Sequence, residues 1–139
     1  MSPRAGHVVR YSYVWRDEGR RGETAGRKDR PCVIVLATEE VDGKIVVTVV
    51  PVTHSRPSDP TIALEIPRRV KARLGLDDAP SWIIAEEANR FVWPGPDVRH
   101  VPGGGFVYGE LPAALFQALR ERVLALAREG RMRALRRTE

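Results

Sequence analysis

The sequence predicts an α+β fold that is mainly β: a small, strongly bent antiparallel barrel with helices at its edges. Two near-continuous apolar runs, residues 31–38 and 45–54, are separated by an Asp-Gly pair at 42–43, which is typical of a β-hairpin. Short β-branched runs follow, and a long helical stripe occurs only at 112–130. The length of 139 residues suits one domain, so we expect residues 1–139 to form a single unit.

The first strand is predicted over residues 7–15, which are β-branched and aromatic. Residues 16–30 then contain three glycines and ten charges and have no apolar periodicity. Such a segment has nothing apolar to pack, so we expect a flexible loop that is mobile until a ligand orders it. Pro51 has no amide donor, which places it at a bulge or near the end of strand pairing.

The second half of the chain predicts shorter elements. A short strand at 62–66 is followed by a helix that Pro67 starts and Gly75 stops. Two further strands are expected at 81–87 and 89–93, then a Pro/Gly loop at 94–105 and a short strand at 106–108. The final helix, near 112–130, carries one apolar stripe that packs on the barrel or on a partner subunit; the stripe consists of Leu115, Phe116, Leu119, Val123, Leu126 and Ala127.

The charge balance favours a polyanionic partner. The net charge is +5 and the isoelectric point is about 10, and clustered cations gain affinity for phosphate by releasing its counterions. The basic residues are 20 Arg and 3 Lys, a ratio that a bias toward Arg codons would also produce without a functional cause. Segments 16–30 and 120–139 have local charges of +2 and +4, so we expect them to form the positively charged surface that would bind such a partner.

Several classes of protein are excluded by what the sequence lacks. There is no phosphate-binding P-loop, no Gly-x-Ser-x-Gly elbow and no Cys-x-x-Cys pair. A single cysteine and three scattered histidines indicate no disulfide, metal site or cofactor, and Cys32 reads as a buried small hydrophobe. The absence of an apolar leader or an apolar stretch of spanning length predicts a cytoplasmic protein without membrane association.

Polar side chains at strand ends are the remaining candidates for a site. In a hairpin turned at 42–43, Pro31 and Thr53 reach the same open end, which brings Arg30, Thr53 and His54 together. Glu86, Glu87 and Arg90 follow a later strand. Cleavage of RNA by phosphoryl transfer needs a base, donors for the phosphorane and an acid, and these side chains can supply them. The structural alternative is that they are solvated or salt-bridged, and that His54 is structural.

The runs RPCVIVL at 30–36 and VVTVVPVT at 46–53, after an aromatic strand and a long charged loop, resemble the core of the PemK/MazF toxins of toxin–antitoxin systems. The resemblance covers residues 6–54 and extends more loosely through 81–93 and the last helix. It implies an SH3-like barrel, a homodimer, and a metal-independent endoribonuclease that cleaves single-stranded RNA. It also implies a cognate antitoxin whose acidic tail occupies the RNA groove.

By position, the resemblance makes Arg30 the phosphate-binding, proton-exchanging arginine and Thr53 the hydroxyl that orients the scissile phosphate. Glu86 is the best match for a carboxylate on the later strand, and Glu87 is the second. Many related sequences carry a histidine before the Arg-Pro pair, whereas 16–30 has none, so His54 or Glu86 would supply that proton function. The expected RNA-binding cations are Arg20, Arg21, Arg27, Lys28 and Arg90.

Two other functions stay open at this point. A barrel of this kind can also be a non-catalytic module that holds nucleic acid or a protein tail on its concave face, because the fold alone does not fix a function. A gyrase-directed inhibitor is the third possibility, in which the activity would come from the dimer surface and not from Arg30 and Thr53.

Overall fold

The computed structural model of the protein describes residues 2–16 and 29–137. Within them the chain forms nine strands, two α-helices and a short 3₁₀ helix at Pro60–Ile62. The strands are β1 (His7–Tyr11), β2 (Arg30–Glu39), β3 (Ile45–Thr53), β4 (Ala63–Glu65), β5 (Trp82–Ile84), β6 (Glu87–Val92), β7 (Val98–Arg99), β8 (Val107–Glu110) and β9 (Arg133–Arg136), and the helices are α1 (Arg68–Leu74) and α2 (Ala113–Arg128). The predicted α+β, mainly β class is confirmed.

The β2–β3 hairpin forms as the sequence predicts. Its turn closes where the Glu40 amide donates to Lys44 O at 2.7 Å, and Gly43 adopts φ of 84°, a left-handed conformation that glycine takes without steric cost. The strands pair antiparallel from Glu39–Ile45 to Cys32–Pro51, with a bulge between Ile34 and Leu36. Pro51 is thus the last residue of β3 in this ladder, as its missing amide predicts.

The sheet bends because its central strands change partners along their length. On its other side, β3 pairs with β6 through Val46–Val49 and with β5 through Val52 and Thr53. In the same way β1 pairs with β8 near its start and with β7 near its end. Such partner changes curl a sheet round on itself and enclose a core. This is the small barrel expected, with β9 added parallel to β6 at one edge.

Both helices are bounded as predicted. Pro67 precedes α1, and Gly75 ends it with φ of 73° while its amide donates to Ala72 O. Pro112 precedes α2, whose apolar stripe packs on the barrel of its own chain: Leu119 and Leu126 are buried, and Leu115, Phe116 and Val123 are partly buried against the same core. Within the described residues, no helix combines the length and apolar character needed to span a bilayer.

Five local expectations needed correction. The strand predicted over 81–87 ends at Ile84, and Glu87 is already the first residue of β6. β1 ends at Tyr11 and not at residue 15, although the Ser12 amide still donates to Asp97 O beside β7. Arg30 is the first residue of β2 and not the last of the loop. A two-residue strand, β7, lies inside the predicted Pro/Gly loop. The arginine-rich β9 was not predicted, since it has no β-branched residue and forms only by pairing with β6.

The interior consists of two apolar clusters on opposite sides of the sheet. One lies under the helices and includes Val8, Val50 and Leu119, and the other includes Val9, Ile34 and Phe91. Cys32 belongs to the second cluster and is fully buried, and this burial raises the pKa of its thiol. The prediction that Cys32 is a small buried hydrophobe, and not a nucleophile, therefore agrees with its surroundings.

Several C-terminal arginines hold the fold together. Arg122 donates to the carbonyls of residues 60, 61 and 63, and Arg131 pairs with Asp59 at 2.9 Å. Arg137 is buried, where its guanidinium donates to Ser12 O at 2.8 Å and meets Asp97 Oδ2 at 2.6 Å. Part of the positive charge of segment 120–139 is therefore used in contacts within the fold. Fewer of its arginines are available to bind another molecule than the sequence suggests.

Replacing Arg137 tests this role. We expect Arg137→Met to lower the free energy of unfolding by about 3 kcal/mol, because it leaves Asp97 and Ser12 O partly buried without their donor. Urea unfolding measures the loss. The matched control is Arg136→Met, an exposed neighbour, for which a change within about 0.5 kcal/mol is expected. Equal effects of the two substitutions would show that the buried pair does not anchor the C-terminal segment.

Candidate functional site

A cleft with a volume of about 730 Å³ opens at the end of the β2–β3 hairpin. It lies where β2 begins, where β3 ends, and beside the segment that joins α1 to β5. Its polar and charged lining comprises Asp29, Arg30, Thr53, His54, Ser55, Arg56, Lys71, Asp77, Ser81, Glu86, Glu87 and Tyr108. Every residue that the sequence suggested as catalytic lines this one cleft.

The Arg30 side chain is positioned by one hydrogen bond and one aromatic contact, which leave some of its N–H donors without partners among the described residues. Its Nη1 donates to Val52 O at 3.4 Å, and its guanidinium carbon lies 4.9 Å from the centre of the Trp15 ring. The indole face therefore restricts the side chain from one side. The buried Nε atom has no hydrogen-bond partner among the described residues. A buried guanidinium N–H without a partner is rare. Arg30 as a residue also lines the cleft, where a guanidinium can bind an anion.

Thr53 sits at the end of β3 because the strand register carries it there. Cys32 pairs with Pro51 in the hairpin. Continuing this register by two residues places Arg30 opposite Thr53 at the open end. The Thr53 Oγ1 atom accepts a hydrogen bond from the Ser55 amide at 3.1 Å. This contact fixes the side chain and leaves the hydroxyl proton available for donation.

His54 is engaged at both ring nitrogens. Nε2 lies 3.0 Å from Asp77 Oδ2, and Nδ1 lies 3.1 Å from both Pro80 O and Ser81 Oγ. The ring is about half exposed, but in this arrangement neither nitrogen faces the cleft unpartnered. His54 thus fastens the end of β3 to the segment between α1 and β5.

Lys71 anchors the same segment from below. Its side chain is 4% exposed, and its ammonium donates to Asp77 Oδ1 at 2.6 Å, to Ser81 Oγ at 2.6 Å and to Ala79 O. All three donors are used, which is what a buried ammonium requires. Lys71, through this hydrogen bond and its charge, and the His54 ring hold the pKa of Asp77 below its usual range. This cation is saturated by the protein and has no donor left for a ligand.

Two adjacent carboxylates complete the wall of the cleft. Glu87 is largely buried, and desolvation raises its pKa, while Oε1 accepts hydrogen bonds from the Arg16 amide at 2.9 Å and from the Tyr13 hydroxyl at 3.2 Å. Both contacts fall on Oε1, so Oε2 can carry a proton. Glu86 precedes it, is partly exposed, and its carbonyl accepts from the Arg133 amide of β9. The cleft therefore has one carboxyl group whose pKa is raised by burial beside a second one.

The remaining predicted residues lie elsewhere. Arg90 is exposed on β6, does not line the cleft, and directs Nε toward Thr48 Oγ1 at 3.4 Å. Arg20, Arg21, Arg27 and Lys28, with most of the predicted flexible loop 16–30, lie outside the described residues. Their expected contacts with RNA phosphates stay predictions.

Sequence reasoning missed three parts of the site: Trp15, which had been assigned only to a strand face, Arg56, and the Lys71–Asp77 pair. Trp15 directly precedes the charged segment 16–30, and this position is the signal that could have placed its ring beside the cleft. Lys71 and Asp77 give no such signal, because a lysine in a short helix is ordinarily solvated and only the fold reveals its burial. Among residues 2–16 and 29–137, no three His, Cys, Asp or Glu side chains are grouped closely enough to hold a metal ion.

The arrangement combines anion binding with proton exchange. Arg30 and Arg56 supply positive charge, Thr53 supplies a neutral donor, and Glu86 and Glu87 supply groups that gain or lose a proton. Asp29, on the cleft rim, is neutralised by Arg10 and Arg99, each at 3.6 Å. Such a set can position a phosphate ester and move protons around it without a redox group.

Comparison with known proteins gives a structural likeness and no sequence match. No family model and no curated protein sequence matches the chain. Among solved structures, the chain is similar to one in the crystal structure of MazE-MazF (Form-III) from Deinococcus radiodurans. The TM-score is 0.55 at 18% sequence identity, over 90% of this chain and 95% of the other. The fold of this chain is therefore MazF-like, as the resemblance of residues 6–54 led us to expect.

Proposed function

We propose that the protein is the toxin of a toxin–antitoxin system and acts as an endoribonuclease that cleaves single-stranded RNA. The observation that carries the proposal is the cleft in which Arg30, with its unpartnered Nε, and Thr53 meet two carboxylates at the open end of the hairpin. The MazF-like fold supports it, since the similar structure is that of a MazE-MazF complex. Residues 1–139 would act as one domain.

In the proposed reaction, the ribose 2′-oxygen attacks phosphorus and the bond to the departing 5′-oxygen breaks. Arg30 braces the phosphate and stabilises the negative charge of the phosphorane, and the Thr53 hydroxyl orients a non-bridging oxygen. In other nucleases a metal ion stabilises the negative charge of the phosphorane. Here these two donors would do so, and we therefore propose a metal-independent mechanism.

The two carboxyl groups divide the proton transfers. We assign Glu86, which lines the cleft beside Glu87, as the base that takes the 2′-hydroxyl proton. Glu87, whose pKa burial raises, suits the acid that gives a proton to the leaving 5′-oxygen from Oε2. His54 is less suited to either transfer while Asp77 and Pro80 O occupy its nitrogens. It would keep the end of β3, and hence Thr53, in position.

The proposed partners follow from the charge of the cleft and of the chain. An antitoxin with an acidic tail would place its carboxylates where the RNA phosphates bind, since Arg30 and Arg56 bind both kinds of anion. A homodimer is also proposed from the resemblance, although most of the apolar stripe of α2 packs on the barrel of its own chain. Action on cellular RNA would place the protein in the cytoplasm.

Incubation of the purified protein with a long RNA in EDTA tests the reaction. We expect cleavage without added metal, and we expect Arg30→Ala to lower the rate about 10²–10³-fold, because it removes the cation from the phosphorane. Gel analysis of RNA fragments measures both. The control is Arg128→Ala, which removes an exposed arginine of α2 that does not line the cleft and should leave the rate unchanged. Loss of cleavage in chelator, or normal cleavage by Arg30→Ala, would contradict the mechanism.

Glu87→Gln should separate activity from stability. The amide keeps the acceptor for Tyr13 and Arg16 but has no acidic proton, so cleavage should slow by about 10²–10⁴-fold. The folded-state pKa of Glu87 is raised, so the stability it contributes is present below its usual value near 4.5 and is lost as the pH rises. The variant should therefore unfold at a higher temperature than the wild type at pH 7, with the difference vanishing toward pH 4.

Thermal unfolding across this pH range, beside the cleavage assay, provides the measurement. If Glu87→Gln is less stable than the wild type at neutral pH, the ionised Glu87 carboxylate stabilises the fold, which would contradict the destabilisation expected from its burial. A variant that cuts RNA normally would remove Glu87 from the proposed chemistry and leave the proton transfer to Glu86 or His54.

A further inference from the structure

A second tryptophan–arginine pair lies beside Thr53. Trp82 opens β5 and is the antiparallel partner of Thr53. The guanidinium carbon of Arg56 is 5.9 Å from the centre of the Trp82 ring, and Arg56 itself lines the cleft. The pair therefore adjoins the place where the proposed reaction occurs, and the proposed chemistry does not use it.

Arg56 differs from the arginines that support the fold. It is exposed, and no hydrogen bond or ion pair joins its guanidinium to any residue that the structure describes. Arg122 and Arg131, in contrast, are fixed by carbonyls and by Asp59. The indole ring thus holds Arg56 from one side while its nitrogen donors stay free for another molecule.

The pairing of Trp82 with Thr53 determines the face of the sheet from which the Trp82 ring projects. Directly opposed residues of an antiparallel pair project from the same face of the sheet, so the indole shares a face with Thr53, which lines the cleft. Trp82 itself lies beside the cleft and is not part of its lining. Its neighbours Ile83 and Ile84 are buried, whereas Trp82 keeps part of its surface exposed. On its other side Trp82 pairs with Glu65, whose carboxylate repels phosphate and so directs a polyanion back toward Thr53.

We propose that Trp82 and Arg56 form a subsite for an unpaired nucleotide of single-stranded RNA, next to the phosphate that Arg30 and Thr53 hold. The base stacks on the indole and guanidinium planes, and free donors of Arg56 contact the adjoining backbone phosphate. A base in a duplex is already stacked and paired, so the subsite selects single strands. This inference rests on the proposed function for the identity of the polymer.

Binding of two short oligomers that cannot be cleaved tests the stacking. One is a single-stranded 2′-O-methyl RNA, which lacks the 2′-hydroxyl nucleophile, and the other has the same backbone without bases. We expect Trp82→Leu to weaken binding of the base-bearing oligomer about 5- to 150-fold, the range for loss of one stacked base. Binding of the abasic oligomer should not change, and Trp82→Phe should restore most of the affinity.

The contribution of Arg56 is tested by the salt dependence of the same binding. Arg56→Gln should lower the slope of log affinity against log salt by about 0.7 for both oligomers, as expected for one phosphate contact with a single strand. The control is Arg69→Gln, an exposed arginine of α1 outside the cleft, which should leave the slope unchanged.

The outcomes separate this inference from the proposed function. Equal losses on both oligomers for Trp82→Leu, or no loss on either, would overturn the stacking subsite even if the wild-type protein cuts RNA. A Trp82-dependent preference for the base-bearing oligomer in a protein that cuts no RNA would support the subsite while the nuclease proposal fails. Circular dichroism of Trp82→Phe and Trp82→Leu verifies that both variants are folded.

Discussion

The antiparallel pairing of β2 with β3 is the constraint on which the site depends. Its register, fixed at one end by the turn at Gly43 and at the other by the Cys32–Pro51 pair, brings Arg30 and Thr53 to one open end. A slip of one residue would put the two side chains on opposite faces of the sheet, so that only one of them would reach the cleft. The apolar residues of both strands, buried on two sides, oppose such a slip. The core that stabilises the fold therefore also aligns the candidate site.

The walls of the cleft are held by charges that the protein neutralises itself. Lys71 is buried, and its three acceptors all come from the segment between α1 and β5, which it fastens to α1. His54 joins the same segment to the end of β3. The segment has little apolar surface of its own, so these polar contacts replace core packing in positioning it. The cleft is in this way formed before a ligand arrives, which reduces the cost of binding.

The sequence predicted what depends on local pattern and missed what depends on distant contacts. The hairpin, both helices and the common location of Arg30, Thr53 and the carboxylates followed from apolar runs, turn residues and the family resemblance. β9 could not be predicted, because its four residues have no strand propensity and become a strand only beside β6. The burial of Lys71 and Arg137 was hidden for the same reason, since each is neutralised by groups that only the folded chain brings to it.

The state of its arginines is the best guide to where this protein meets other molecules. The net charge of a chain with 20 arginines does not by itself locate a binding surface, because some of these side chains bond within the fold. Arg122, Arg131 and Arg137 use their donors in this way. Toward the residues that the structure describes, Arg30 uses only Nη1 in this way, on Val52 O, and Arg56 uses none of its donors. Each rests against a tryptophan ring and keeps donors without partners among the described residues. A guanidinium fixed on one face and unsatisfied on the other is prepared for a planar or anionic ligand at little entropic cost. Both flank Thr53, so the unsatisfied cations mark a single binding surface whose chemistry suits a phosphate next to an unpaired base.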